Sequence, residues 1–291
     1  MLPDRVKPLL AQAAARLEKA GCESPGLDAR LLLQAAADLT REDIILEPER
    51  GLDAAQLRLF EALLRRRELR EPVSRILGAR EFYGRMFRIT PATLDPRPDT
   101  ETLINAALAL MPQRAAILDL GTGTGAIAVT LLAERPDATG VATDVSPDAL
   151  AVAGENAAQN GVGSRLSFAL GSWFEPVTGV FDIIASNPPY IPAGDIAGLS
   201  PDVRNFDPGL ALVGGADGLD PYRVIARGAA SHLTGSGHVL VEIGAGQEHE
   251  VAAIFADAAF GTAARHTDLG GHVRCLVFRH SKAKNGVLGR S

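Results

Sequence analysis

Residues 183–192 read IIASNPPYIP: a run of apolar residues ends at Asn187, Pro188, Pro189 and Tyr190. Proline has no backbone N–H and fixes its own φ, so a buried strand stops here and the nearby carbonyls need not rejoin a ladder. The side-chain oxygen of Asn187 and the carbonyl of Pro188 could accept both hydrogens of one substrate –NH₂, while Tyr190 offers a flat face for a planar amide or base. This pair suits a weakly nucleophilic nitrogen attacking an electrophilic methyl group. Two fixed acceptors would orient the nitrogen and stabilise the positive charge that develops on it. Taken alone, the four residues also fit a rigid turn in which Asn187 caps the next segment.

A second constellation, ILDLGTGTGAIA at 117–128, joins an apolar run to a helical one. Gly121, Gly123 and Gly125 allow a tight turn and close approach of a ligand, and the helix behind them presents free N–H groups and a partial positive charge. Two cofactors fit. Gly121, Gly123 and Ala126 satisfy the dinucleotide pattern, with Asp144 about 20 residues on, where a ribose hydroxyl is held. Against that, Asp119 puts a carboxylate at the loop entrance, which suits the ammonium of S-adenosylmethionine and repels a pyrophosphate.

The elements that must position these residues follow from hydrophobic spacing. Over 1–75 the pattern is helical: Val6, Leu9, Leu10, Ala13, Ala14 and Leu17 share a face and Gly21 stops the run. A second helix is expected from near Asp28, a third behind a Thr40–Asp43 capping box, and a fourth capped by Asp53 and ending in a solvated RRREL face at 65–69. Residues 76–95, broken by Gly78 and Gly84, read as a β-hairpin linker. From 96 to 282, after a helix capped by Asp99 or Thr100, strands and helices alternate as in a wound α/β sheet; one helix is capped at Ser146, another runs through Val251 to Phe260, and a hairpin turns at Gly270-Gly271. Residues 283–291 read as a flexible polar tail.

Composition narrows the classes. The 291 residues are 46% hydrophobic and 22% charged, with a net charge of −6. That balance disfavours a protein holding bare nucleic acid through phosphate contacts. Cys22 and Cys275, the two cysteines, read as buried thiols of a reducing compartment. No apolar run reaches the roughly 20 residues of a membrane span and the N-terminus has no signal-peptide core, so the expectation is a cytoplasmic protein. The histidines lack metal-type spacing, as His232/His238 and His266/His272 illustrate, so no metal is expected. Asp202 and Asp207 read as loop solvation and turn capping rather than as an acid–base pair.

Around these motifs, EPVSRILGAREFYG (71–84), LDPRPDTETL (94–103), FDPGLALVGGADGLDPYRVI (206–225) and VLVEIGAGQ (239–247) resemble segments of the bacterial peptide chain release factor glutamine N5-methyltransferases. The resemblance runs from about residue 71 almost to the C-terminus. It implies a Rossmann-like S-adenosylmethionine-dependent methyltransferase sheet with a closing C-terminal hairpin, preceded by a small all-α domain that docks the protein substrate. The substrate it implies is the glutamine of the Gly-Gly-Gln motif in release factors. By the same resemblance Gly121, Thr122, Gly123, Thr124, Gly125, Asp144, Trp173 and Asn187 contact the cofactor. Asn187, Pro188, Pro189 and Tyr190 hold the glutamine, and Arg97 and Glu101 help close the site. The chain departs at Ser172, where many relatives carry Asp before the tryptophan. A monomer with no sequence-specific nucleic-acid binding is expected. The rival readings are a methyltransferase for an exocyclic amine of DNA or RNA, and a NAD-linked oxidoreductase.

Overall fold

The computed structural model describes residues 3–281, so the tail expected over 283–291 lies outside the described residues. Two compact units emerge: one takes the chain up to Ala79 with Ser200–Phe206, the other Arg80–Leu199 and the chain from Asp207 onward.

The first unit is helical: α1 (Val6–Lys19), α2 (Pro25–Ala37), α3 (Arg41–Leu46), α4 (Ala54–Glu68) and α5 (Val73–Leu77). Both capping boxes form. Thr40 accepts from the Asp43 N–H while Asp43 accepts from the Thr40 N–H, and Asp53 with Gln56 does the same for α4. Leu9, Leu17, Leu32, Leu33, Phe60 and Leu64 are fully buried together. Two expectations need correction. The second helix starts at Pro25, three residues before Asp28, because proline at its first turn needs no N–H partner. The RRREL stretch is not simply a solvated face. Arg65 is exposed, but Arg67 is 6% exposed and donates to Asp28 Oδ2 at 2.8 Å, to the Glu71 carbonyl at 3.1 Å and to Asp202 Oδ2 at 2.8 Å. Arg70 donates to the other oxygen of Asp202 at 2.6 Å.

The second unit begins with a two-stranded hairpin, β1 (Ala79–Phe82) and β2 (Arg85–Arg88). Then come α6 (Thr100–Leu110), β3 (Ala116–Leu120), α7 (Ala126–Glu134), β4 (Thr139–Asp144), α8 (Pro147–Gln159), β5 (Leu166–Leu170) and β6 (Phe181–Ser186). After β6 the chain carries α9 (Pro201–Phe206) into the helical unit, then returns through α10 (Asp220–Ala229), β7 (Leu233–Glu242), α11 (Glu248–Asp257), β8 (Phe260–Thr267) and β9 (Val273–His280). The large sheet has the order β5-β4-β3-β6-β7-β9-β8, parallel from β5 to β7 and closed by antiparallel β9 and β8.

Period-two alternation explains both faces of this sheet. Ile117, Ile183 and Leu240 join one core with α6, α7 and α8, while Leu118, Ile184, Val239 and Val241 join the other with α10 and α11. Ser146 caps α8 by accepting from the Ala149 N–H. The helix expected to run through Phe260 stops at Asp257, since Ala259 takes a left-handed φ of 63° and Phe260 opens β8. Cys22 and Cys275 are buried and free, and burial pushes both thiols up, away from reactive thiolate character. No helix among the described residues is long and apolar enough to cross a membrane.

Truncating Arg67 would leave the buried Asp28 without its arginine and Asp202 with Arg70 alone. The Arg67→Ala variant is expected to lose about 3 kcal/mol of stability in urea unfolding. Removing the exposed Arg65 partner of Glu61 should cost under about 0.5 kcal/mol. Equal losses would show that burial of the ion pairs is not what matters.

Candidate active site

The carboxyl ends of β3, β4 and β6 open onto one cavity of about 480 Å³, a size suited to a small-molecule cofactor. Its wall includes Gly121, Thr122, Gly123, Thr124, Asp144, Trp173, Asn187 and Pro189. Both sequence constellations therefore meet in one place. Asp119, Gly125, Pro188 and Tyr190 stand outside that wall.

The glycine loop is tied down from behind. The Gly121 and Thr122 N–H groups each donate to the Thr143 carbonyl at 2.9 Å. Asp144 accepts from the Gly123 N–H through Oδ2 and from the Ser146 N–H through Oδ1, each at 2.9 Å, so its carboxylate is fixed at the rim with lone pairs to spare. Gly123 has a φ of +55° and open space where a Cβ would sit, so a side chain there would be strained and would fill the cavity. Trp173 takes a φ of 49°, uncommon for a bulky residue, and lays its indole 4.0 Å from where a Cβ on Gly121 would be. Ser172 does not line the cavity; its N–H faces Glu175.

Asp119 is 1% exposed and sits beneath the loop. Its Oδ2 accepts from the Thr122 hydroxyl at 2.7 Å and the Ala128 N–H at 3.2 Å, while Oδ1 is buried with no partner among the described residues. Burial is the main cause that pushes its carboxyl up to about 6, with Asp144 adding to the rise.

The Asn-Pro-Pro-Tyr turn is held on three sides. Ser186 donates to the Leu120 carbonyl at 2.7 Å, joining the ends of β6 and β3. Beyond the turn, Ile191 pairs with Val213, and the Tyr190 carbonyl accepts from Gln247 Nε2 at 2.9 Å. Gly218 packs so closely that a Cβ would run into the Tyr190 carbonyl. On the third side, Asn187 Nδ2 donates to Thr100 Oγ1 at 3.2 Å, and Thr100 donates to Glu242 Oε2 at 2.6 Å. Burial pushes the Tyr190 phenol up to about 12, with the Glu242 charge as the next cause.

Sequence reasoning missed Glu242 and Asn156. Glu242 is 2% exposed at the end of β7, and burial pushes it up to about 7; a carboxylate closing the buried run VLVE was the available signal. Asn156 is fully buried and donates to the Thr124 carbonyl at 2.9 Å while bonding both backbone groups of Arg88. Its helix pattern gave no hint of that role. Arg97, on the cavity wall, pairs with Asp207 at 2.7 Å. Asp207 and Asp202 are thus ion-pair partners of arginines rather than solvated loop acids. Glu101 does not line this cavity.

The charged residues on the wall are Arg97, Asp144 and Asp148, and Arg97 is already paired. With Asp119 beneath the loop and its Oδ1 unpartnered, this set fits a cofactor bearing an ammonium and no phosphate. Fold and cavity define an S-adenosylmethionine-dependent methyltransferase. A solved methyltransferase from Pyrococcus furiosus shares the fold, with a TM-score of 0.52 at 17% identity over 68% of this chain and 89% of that one. Family models for the methyltransferase small domain and the PrmC N-terminal domain match residues 98–197 and 8–78. The release factor glutamine methyltransferase of Cereibacter sphaeroides is 50% identical, covering 94% of this chain and 98% of its own. That of Agrobacterium fabrum is 45% identical over 93% and 96%. The chain belongs to the release factor glutamine methyltransferase family.

A methyl group at residue 123 would occupy cofactor space. Gly123→Ala should weaken S-adenosylhomocysteine binding by about tenfold or more, some 1.4 kcal/mol, in isothermal titration. Unchanged affinity would place the cofactor elsewhere.

Proposed function

We propose that this enzyme methylates the side-chain amide nitrogen of the glutamine in the Gly-Gly-Gln motif of peptide chain release factors, giving N5-methylglutamine. The observation that carries this reading is the orientation of Asn187. Its Nδ2 faces Thr100 and Glu242, and no bond among the described residues uses its Oδ1. The oxygen is left for a substrate –NH₂ beside the cofactor cavity.

When bound, S-adenosylmethionine supplies a methyl group made electrophilic by its sulfonium. The chain's own residues do the rest. Gly121 to Gly125 and Asp144 would hold the cofactor, Trp173 would lie beside its adenine, and Asp119 would offer charge to its ammonium through the loop. Asn187 Oδ1 and the Pro188 carbonyl would accept the two amide hydrogens, with Tyr190 stacking on the planar amide. Positive charge developing on the amide nitrogen during transfer of the methyl from sulfur, with S-adenosylhomocysteine as the leaving group, would strengthen the hold of both acceptors. The nitrogen becomes acidic as it is methylated, so its proton is lost late and needs no strong base beforehand.

A release factor substrate accords with the names of the relatives and with a net charge of −6, which suits a protein substrate better than a flipped base in a basic groove. The same reading makes the chain a cytoplasmic monomer whose helical unit docks the factor.

Purified enzyme with methyl-labelled S-adenosylmethionine is expected to label a release factor, but neither the factor with its Gly-Gly-Gln glutamine changed nor an unmethylated duplex. Asn187→Ala should lower kcat about a hundredfold. Label on the duplex, or equal label on the altered factor, overturns the glutamine reading.

A further inference from the structure

The Asn187 carboxamide has a donor end and an acceptor end, and acceptance of a substrate –NH₂ requires the acceptor end to face the cavity. Rotation by half a turn would present Nδ2 instead and repel the substrate's hydrogens. Something must choose between the two. The Thr100 hydroxyl has one hydrogen, and it is given to Glu242 Oε2 at 2.6 Å. Toward Asn187, 3.2 Å away, Thr100 Oγ1 therefore has only lone pairs to offer. Only Nδ2 can meet a lone pair with a proton. The Thr100 hydroxyl and the Glu242 carboxylate, acceptors both toward Asn187, thus fix the direction of the amide.

We propose that Thr100 and Glu242 are positioning residues, a buried relay that holds Asn187 with its oxygen toward the incoming amide. This inference rests on the reading of Asn187 as substrate acceptor. Thr100 lines the cavity and Glu242 lies behind it, and both act through Asn187.

The relay depends on the ionisation of Glu242. As a carboxylate it can only accept, which forces the order Asn187 to Thr100 to Glu242. Once protonated, it can donate its own proton to Thr100, whose hydroxyl is then free to turn toward Asn187 and hold the amide in the flipped state. The groups facing Glu242 are Asp99 at the N-cap of α6, Arg274 and Cys275 on β9, Tyr190 and Asn187 on the turn, and Tyr222 on α10. Tyr222 donates its hydroxyl to the Glu242 backbone carbonyl at 2.9 Å, which leaves the carboxylate to Thr100 and Asn187. Arg274 favours the ionised form and Asp99 opposes it, with burial pushing the carboxyl up to about 7. Activity should accordingly fall as pH drops through about 7 and recover above it.

The test uses the full chain, a release factor and methyl-labelled S-adenosylmethionine, with Thr100→Val, Thr100→Ser and Glu242→Gln compared with the wild type. Thr100→Val is expected to lower kcat about tenfold and to lower the melting temperature as well, because the buried Glu242 carboxylate loses a donor. Thr100→Ser, which keeps the hydroxyl, should restore most of the loss. Glu242→Gln should flatten the acidic limb of the kcat profile between about pH 6 and pH 8. Wild-type kcat in Thr100→Val, equal impairment in the valine and serine variants, or an unaltered acidic limb in Glu242→Gln would each overturn the relay. The substrate reading fails separately, if the wild type labels a duplex and not the factor. The same variant ratios would then be measured on the duplex and would decide the relay there.

Discussion

Parallel pairing of β3 with β6, in the register Asp119↔Ala185, sets the site. The strands are neighbours in space although β4 and β5 come between them in sequence. Connections leaving them run to opposite faces, α7 toward one core and α10 toward the other. At such a divide the sheet leaves an open crevice at its carboxyl edge. The glycine loop after β3 and the Asn-Pro-Pro-Tyr turn after β6 enter it side by side. A slip of one residue would turn Leu118 and Ile184 out of one core and into the other, so hydrophobic patterning defends the geometry that chemistry uses.

Two buried carboxyls flank the crevice at a cost. Asp119 and Glu242 lie almost wholly out of water, and burial pushes their carboxyls up to about 6 and about 7. A carboxyl raised in the native state favours folding most fully below the ordinary carboxylate range, and that contribution is lost as pH rises through the native value. Near neutral pH the apo fold therefore carries strain from both acids. The Thr100 hydroxyl relieves part of that strain at Glu242.

The helical unit uses buried charge differently. Arg67 and Arg70 hold Asp202, which reaches them on α9, the excursion between β6 and α10. Here opposite charges meet directly. Residues 200–206, between β6 and α10 in the chain, are thereby anchored in the helical unit.

Much of this was legible in the sequence. The helix starts at Thr40, Asp53 and Ser146, the alternating strands, the final hairpin and both site motifs depend on neighbours within a few residues, and such local chemistry is written in order along the chain. The lining residues from Gly121 to Thr124, with Asp144, Trp173, Asn187 and Pro189, were all named from motif and resemblance. What the sequence could not show was partnership across distance. Arg67 looks solvated until Asp28 and Asp202 arrive from other helices, and Asn156 looks like any polar helix residue until Arg88 and Thr124 close around it. Thr100, Asn187 and Glu242 lie on α6, after β6 and at the end of β7. By itself the sequence determined the fold class and most of the elements; only tertiary structure decided which way the Asn187 amide faces, because that depends on a buried hydroxyl and a buried carboxylate brought to it from α6 and β7.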